Sequence, residues 1–321
     1  MKIKIWNVEQ PAGSGLKVSN RPGAPPAKPA GKSKAAGEDK NQVTCAREIM
    51  QELDALVGLS SVKKLIGEIY AFVEIQKRRQ KEKLVTQPLV LHMIFKGNPG
   101  TGKTTVARIL GKLFKDVGVL AKGHLVEVER ADMVGEFIGH TAQKTREQIK
   151  KALGGILFID EAYSLARGGE KDFGKEAIDA LVKGMEDHRD NLILILAGYQ
   201  DEMDWFTEAN PGLRSRFPIH ISFPDYDHRE LLAIADLMMK KREYFLTSGA
   251  REELRFLVEK ERRRHEHSGN ARLVRNLLER AIRRQAVRLL NQQANISRDD
   301  LMTITREDIE DNGGKSVNPI T

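Results

Sequence analysis

The feature that most constrains this chain is a glycine-rich segment between a predicted strand and a predicted helix. Residues 89–95 form a largely apolar run, and from Val106 to Val117 apolar residues recur at three- and four-residue steps. Between them lies the pattern G-x-x-x-x-G-K-T, formed by Gly97-Asn98-Pro99-Gly100-Thr101-Gly102-Lys103-Thr104 and followed by Thr105. In this context the pattern predicts a phosphate-binding loop, with backbone N–H groups and a helix N-terminus facing phosphate oxygens. The alternative is a glycine turn with an exposed lysine, which does not account for the flanking strand and helix.

Two side chains of this loop and two acids further along have predicted roles toward a nucleotide. Lys103 is expected to reach the β- and γ-phosphates, and the Thr104 hydroxyl to ligate Mg²⁺. Residues 156–159 predict a buried strand that ends in Asp160 and Glu161, at the edge where ligands bind in open α/β sheets. Asp160 is expected to hold Mg²⁺ through water, and Glu161 to polarise the attacking water as general base.

Charge and composition limit the kinds of partner and site that the chain can have. The net charge is +8, but residues 1–40 carry eight Lys and Arg against three Asp and Glu, so the other residues carry only +3. That balance does not favour a nucleic-acid surface. The single cysteine, Cys45, excludes an intramolecular disulfide framework and a cysteine zinc site. No apolar run is long enough to cross a bilayer, and no secretory signal is present, so we expect a cytoplasmic protein without a membrane span.

The predicted elements divide the chain into four parts. Residues 1–44 hold five of the eleven prolines and are predicted to be a disordered leader. Residues 45–225 alternate predicted strands with helices, which predicts an α/β domain with a five-stranded parallel sheet covered by helices on both faces. Residues 226–310 show only helical stripes and are predicted to form a small all-α domain. Residues 311–321 are predicted to be a flexible tail.

A short apolar turn precedes the first strand. Val57-Gly58-Leu59 lies between two predicted helices. Because the phosphate loop follows, Gly58 and Leu59 are well placed to cover an adenine ring. The alternative is a plain interhelical turn without a ligand contact.

These motifs together resemble one family. Gly97–Thr104 and Ile156–Glu161 are similar to the nucleotide motifs of AAA+ ATPases, and so is the order of an α/β domain followed by a helical lid. Within that superfamily the chain resembles the CbbX type, which includes the red-type Rubisco activases. Further matching segments are Leu91-His92-Met93, Gly123-His124-Leu125, Phe137–Ala142, Gly154–Tyr163 and Leu196–Tyr199. Residues 164–179 are most similar to family members that act in sporulation, and the resemblance spans approximately residues 48–290.

The resemblance implies ATP hydrolysis in a ring, usually a hexamer, with ATP at the subunit interfaces. It implies that an arginine from the neighbouring subunit reaches the γ-phosphate, and Arg216 matches that place, with Arg214 as the alternative. It also implies that Arg272 acts as the second sensor from the lid, with Arg275 as the alternative. The first-sensor position is occupied by Tyr199, where the family normally has Asn, Thr or Ser.

The loop after the second predicted strand helps to distinguish a protein remodeller from the other possible classes of function. Phe137-Ile138-Gly139 corresponds to the loop that faces the central pore in AAA+ rings, and an aromatic-aliphatic triplet grips peptide side chains by apolar contact. We therefore expect a remodeller of an unidentified protein substrate, in sporulation or, alternatively, on a metabolic enzyme complex. The other classes are a nucleic-acid motor or loader, which would place basic residues there, and a nucleotide-gated scaffold. Phe137 could also be an ordinary core residue.

Overall fold

A parallel sheet forms the centre of the fold. The computed structural model describes residues 35–86, 89–137, 139–167, 172–264, 269–292 and 296–310. The five strands of the sheet are β1 Met93–Lys96, β2 Leu125–Val128, β3 Ile156–Ile159, β4 Ile193–Gly198 and β5 Ile219–Ser222. They lie in the order β2-β3-β4-β1-β5 and every neighbouring pair is parallel. The predicted five-stranded parallel sheet is therefore confirmed.

Helices cover both faces of this sheet because side chains alternate along each strand. The elements before the lid are α1 Ala35–Asp54, α2 Ser60–Lys81, α3 Lys103–Asp116, α4 Arg130–Met133, α5 His140–Ala152, the 3₁₀ turn Ala162–Ala166, α6 Gly174–Asp187, α7 Gln200–Ala209 and α8 Pro211–Arg216. Phe95 and Phe158 belong to the core shared with α1, α2 and α3. Ile94 and Leu157, their sequence neighbours, belong to the core shared with α5, α6 and α7.

The lid is helical, with one short addition. Its helices are α9 His228–Lys240, α10 Ser248–Arg264, α11 Asn270–Asn291, α12 Arg298–Met302 and α13 Arg306–Ile309. Phe245–Leu246 and Thr303–Ile304 form a two-stranded parallel pair, β6 and β7, that the prediction of an all-α lid omitted. Strands of two residues are too short to leave a periodic pattern in the sequence. The boundary predicted at residues 225–226 falls between β5 and α9.

The amino-terminal part of the prediction needs a correction. Helix α1 begins at Ala35, so residues 35–44 are helical although their composition assigned them to a disordered leader. Ile49 and Leu53 of the same helix are buried in the core, and tertiary packing of this kind stabilises a helix beyond its local propensity. The rest of the predicted leader and the predicted tail lie outside the described residues. Within the described ranges, no helix is long and apolar enough to cross a bilayer.

Candidate nucleotide site

A cleft of about 1240 Å³ lies where the strands end and the lid begins. Residues that directly follow or end four strands line it, namely Gly97 after β1, Glu129 after β2, Asp160 after β3 and Gly198 at the end of β4. The opposite wall comes from α9 and α11 of the lid. This is the position at which open α/β sheets bind ligands.

The predicted phosphate loop forms the floor of the cleft. Its lining residues are Gly97, Pro99, Gly100, Gly102, Lys103, Thr104 and Thr105. Gly102 has a φ of 99° and immediately precedes α3, so the free N–H groups of the first helical turn face the cleft. Thr101 is fully buried and supports the loop, because its hydroxyl donates to the Asn98 carbonyl at 2.8 Å. The loop therefore has the features that bind phosphate groups.

Lys103 is held inside this loop. Its Nζ donates to the carbonyl oxygens of Gly97 and Asn98, at 2.7 and 2.9 Å. Burial lowers the pKa of Lys103, and the nearby Asp160 carboxylate raises it in opposition. The ammonium group thus lies in a desolvated position beside an acid, where a phosphate oxygen would gain a strong electrostatic partner.

The backbone at the two acids after β3, Asp160 and Glu161, has an unusual conformation. Glu161 has φ 47° and ψ 43°, a left-handed conformation that is uncommon for a residue with a side chain. Its N–H donates to Asp160 Oδ1 at 3.0 Å, and its carbonyl accepts from Ser164 N at 2.8 Å in the 3₁₀ turn. Both acids line the cleft. Strained backbone of this kind concentrates at functional sites, and here it places Glu161 in the cleft with Asp160.

The donor atoms in the cleft fit Mg²⁺. Thr104 and Asp160 line it together and supply a hydroxyl and a carboxylate, which are the oxygen ligands that Mg²⁺ prefers. No cluster of three or more His, Cys, Asp or Glu suited to a metal occurs among the described residues. Mg²⁺ is usually held by one or two carboxylates together with substrate phosphates and water.

The apolar end of the cleft is built from the turn before α2 and from the lid. Leu56, Val57 and Leu59 line it, so the turn predicted to cover adenine reaches the cleft. Gly58 is not among the lining residues. A Cβ on Gly58 would lie 2.2 Å from Glu230 Oε1 of α9, so this glycine allows the lid to approach the turn.

The predicted arginine and tyrosine positions fall into two groups, those that line the cleft and those that do not. Tyr199, Arg272 and Arg275 line the cleft. A Cβ on Gly100 would lie 2.8 Å from the Arg272 N atom, so the backbone of Arg272 lies against the phosphate loop. Arg216 is not a lining residue. It ends α8, where it pairs with Glu186 and its Nη1 donates to the Gly212 carbonyl at 3.0 Å.

The predicted pore residues lie between α4 and α5. Phe137 is 63% exposed, which excludes the alternative that it is a core residue. Its ring packs edge-on against His140, with centroids 5.4 Å apart. Gly139 has a φ of 83° and immediately precedes α5. Ile138 lies outside the described residues.

Several residues of the site belong to none of the sequence motifs described above. Tyr226 is 6% exposed, and its hydroxyl donates to the Thr101 carbonyl at 3.0 Å. Burial raises the pKa of Tyr226 to about 12, so the hydroxyl remains a neutral donor. Asp225 accepts hydrogen bonds from Asn98 of the loop and from Asn270 of the lid. These contacts join residues more than forty positions apart, and local patterns do not report them.

Comparison with known proteins identifies the family. Residues 93–225 match the family model for the ATPase family associated with various cellular activities (AAA), and residues 227–318 match that for the AAA lid domain. The chain is 57% identical over 265 residues to stage V sporulation protein K of Bacillus subtilis (strain 168), which covers 82% of each protein. It is 48% identical over 267 residues to protein CbbX of Cereibacter sphaeroides, covering 82% of this chain and 86% of that protein.

A solved structure agrees on the fold. The Thermotoga maritima RuvB Holliday junction branch migration motor aligns with a TM-score of 0.50 at 19% identity, over 79% of this chain and 67% of that chain. At such identity the likeness concerns the fold alone. Nucleotide binding and ATPase activity follow instead from the matched family and the nearer relatives. The chain therefore belongs to the AAA+ ATPases, in the group that includes stage V sporulation protein K and CbbX.

Proposed function

We propose that this AAA+ ATPase assembles into a homo-oligomeric ring, a hexamer, and uses Mg²⁺-dependent ATP hydrolysis to draw a protein substrate through its central pore. The observation that carries the proposal is the exposed aromatic ring of Phe137, placed at the start of a helix that leads back to the hydrolytic strand. Apart from its edge-on contact with His140, the Phe137 ring faces solvent, and a moving polypeptide would cover this apolar surface.

The residues of the cleft divide the work of hydrolysis. Lys103 and the amide groups at the start of α3 bind the β- and γ-phosphates and stabilise charge there. Thr104 and Asp160 would hold Mg²⁺, which neutralises triphosphate charge when bound. Glu161 accepts the proton of the attacking water, since its carboxylate lies in the same cleft as Lys103. Leu59 covers the adenine ring together with its apolar neighbours.

Two arginines, Arg272 and Arg216, would supply positive charge to the phosphates, the first from the same subunit and the second from its neighbour. Arg272 reaches the phosphates from the lid of the same subunit, since it already lines this cleft. Arg216 acts on the site of a neighbouring subunit, since it does not line its own. Its present partner, Glu186, is 58% exposed, so a surface ion pair of small net energy keeps Arg216 folded back until a neighbour docks. Tyr199 orients the attacking water through its hydroxyl.

The pore loop favours a polypeptide over a nucleic acid. The segment Val134-Gly135-Glu136-Phe137-Ile138-Gly139 contains one acid and no lysine or arginine. A phosphate backbone would be repelled by Glu136 and would find no counter-charge in this loop. An extended peptide of any sequence offers apolar side chains that Phe137 contacts.

Hydrolysis reaches the loop through α5. The Gly135 N–H donates to the Thr141 hydroxyl at 2.9 Å, so the loop is fixed to the first turn of α5. The last turn of α5 leads through residues 153–155 into β3, and Asp160 directly follows that strand. A change in the position of Asp160 and Glu161 during hydrolysis would therefore reach the loop through β3 and α5.

The substrate is proposed from the relatives. The similarity to stage V sporulation protein K favours a protein substrate in sporulation. The similarity to CbbX and to the chloroplast ribulose bisphosphate carboxylase/oxygenase activase of Cyanidioschyzon merolae, at 47% identity, makes remodelling of a metabolic enzyme complex the second candidate. Proteins retained by a Glu161→Gln ring in the presence of ATP would distinguish the two.

The proposal is tested by comparing wild type, Phe137→Ala and Phe137→Tyr. ATPase activity is measured alone and with a permanently unfolded polypeptide. We expect equal basal rates in all three and stimulation by the polypeptide in wild type and Phe137→Tyr only, because tyrosine keeps the ring. Phe256→Ala, at a phenylalanine of the lid that is 58% exposed, is the matched control and keeps both activities. Full stimulation of Phe137→Ala would contradict threading by this loop.

A further inference from the structure

A single carboxylate joins the phosphate loop to the lid. Asp225 lies in the segment between β5 and α9. Its Oδ1 accepts from Asn270 Nδ2 at 2.8 Å, and its two oxygens each lie 3.0 Å from Nδ2 of Asn98. Asn98 belongs to the phosphate loop, and Asn270 is the first residue of the lid helix α11. Asp225 thus receives hydrogen bonds from both sides of the cleft.

The lid residue in this link is held in a strained and buried position. Asn270 has a φ of 46° and is 1% exposed. Its Oδ1 accepts from the Tyr226 N–H at 3.0 Å, while its Nδ2 donates to Asp225. Asparagine tolerates a left-handed backbone better than most residues, and both ends of its amide are used here. The start of α11 is therefore fixed by the segment that contains Asp225.

Backbone contacts tighten the same junction. The Ala271 N–H donates to the Gly100 carbonyl at 3.2 Å. A Cβ on Gly100, whose φ is 76°, would lie 2.3 Å from the Gly269 carbonyl and 2.8 Å from the Arg272 N atom. The first turn of α11 therefore touches the phosphate loop directly, and neither part can shift without the other.

We infer that Asp225 is a positioning residue that couples the conformation of the phosphate loop to the placement of Arg272. Arg272 lies two residues after Asn270 in the first turn of α11, so whatever fixes Asn270 also fixes the origin of the arginine side chain. When the loop closes on a triphosphate, the amide of Asn98 and the carboxylate of Asp225 carry that change to the lid. This inference rests on the proposed role of Arg272 at the phosphates.

The test is a thermodynamic cycle on ATP affinity, measured with a fluorescent ATP analogue on the full chain. Asp225→Ala removes charge-assisted hydrogen bonds from both amides, and we expect binding about tenfold weaker. Asp225→Asn keeps one acceptor oxygen for both amides and should lose clearly less. Asp236→Asn is the matched control, because that half-buried aspartate of α9 pairs only with Arg251 at 2.7 Å among the contacts described and does not line the cleft.

The cycle with Arg272→Ala separates positioning from general stability. If Asp225 acts through Arg272, the double variant binds ATP no more weakly than Arg272→Ala alone, because the two changes remove one effect. Losses that multiply in the double variant would overturn the inference, as would wild-type affinity in Asp225→Ala. Asn98→Ala breaks the link from the loop side and must give a loss similar to that of Asp225→Ala.

The same measurements keep the two proposals apart. Weak binding by Arg272→Ala with normal binding by Asp225→Ala overturns the inference and leaves the proposed function intact. Normal binding by Arg272→Ala refutes the role proposed for that arginine, and the inference about Asp225 is overturned with it. A thermal melt of each variant confirms that the affinities belong to folded protein.

Discussion

We predict that the buried histidine directly before β1, His92, makes the stability of this protein depend on pH. His92 precedes β1, is 5% exposed, and accepts the Leu194 N–H on its Nδ1 at 3.0 Å. Burial lowers the pKa of His92 from 6.5 to about 4. Because the folded pKa lies below the unfolded one, this group stabilises the fold fully above pH 6.5 and loses that contribution as the pH falls towards 4. The full loss is about 3 kcal/mol, and about 2 kcal/mol of it has occurred at pH 5.

His92 also connects this effect to the proposed arginine finger. Its ring lies 5.8 Å from that of Phe217, which directly follows Arg216 at the end of α8. Protonation introduces a buried charge at this contact and removes the acceptor for Leu194. We therefore expect the loss of stability in acid to be accompanied by loosening of α8 and a fall in ATPase activity.

The measurement is urea unfolding between pH 8 and pH 5 for wild type, His92→Asn and His228→Asn. Asparagine at position 92 keeps an oxygen acceptor but has no proton to gain in this range, so its free energy of unfolding should fall less over the interval, by about 2 kcal/mol. The exposed His228 is the matched control and should leave the pH dependence of wild type unchanged. An identical pH dependence in His92→Asn and wild type would refute the reasoning.

The remaining predictions concern the nucleotide chemistry. Lys103→Ala should abolish tight ATP binding in a fluorescence titration, and wild-type affinity would remove the lysine from the phosphate site. Glu161→Gln should keep ATP bound while turnover falls about 10²–10⁴-fold, because only the general base is lost; unchanged turnover would refute that role. Removal of Mg²⁺ with a chelator should stop hydrolysis, and restored Mg²⁺ should recover it. A mixture of Arg216→Ala with Lys103→Ala should regain activity that neither has alone, since each supplies what the other lacks; a co-assembled but inactive mixture would show that Arg216 does not act in trans.

The parts of the fold that follow local rules were predictable from the sequence. The strand at residues 156–159 was predicted with the bounds that the structure has, and the acids after it were placed at the correct end of the sheet. The phosphate loop was predictable because its glycines, its lysine and its flanking elements all lie within one short segment. In a motif of this kind, the local sequence alone determines the local backbone geometry.

Contacts between distant segments were not predictable in the same way. In the sequence, Asp225 and Tyr226 have no feature that distinguishes them from other loop residues. Only folding brings Asp225 to Asn98 and Tyr226 to Thr101. Gly58 was assigned to the nucleotide, whereas its lack of a side chain serves the approach of Glu230. In each case the residue type was compatible with several roles, and tertiary packing decided among them.

Cross-linking from the pore loop tests the central claim most directly. A photoreactive phenylalanine analogue replaces Phe137 in a Glu161→Gln ring, which is illuminated with an unfolded polypeptide in ATP or in ADP. The same analogue at Phe256, an equally aromatic and 58% exposed position of the lid, is the control. Threading predicts cross-links from position 137 in ATP, few in ADP, and none above background from position 256. Equal cross-linking from both positions, or cross-linking that does not depend on the nucleotide, would contradict the proposal that ATP hydrolysis moves a polypeptide past Phe137.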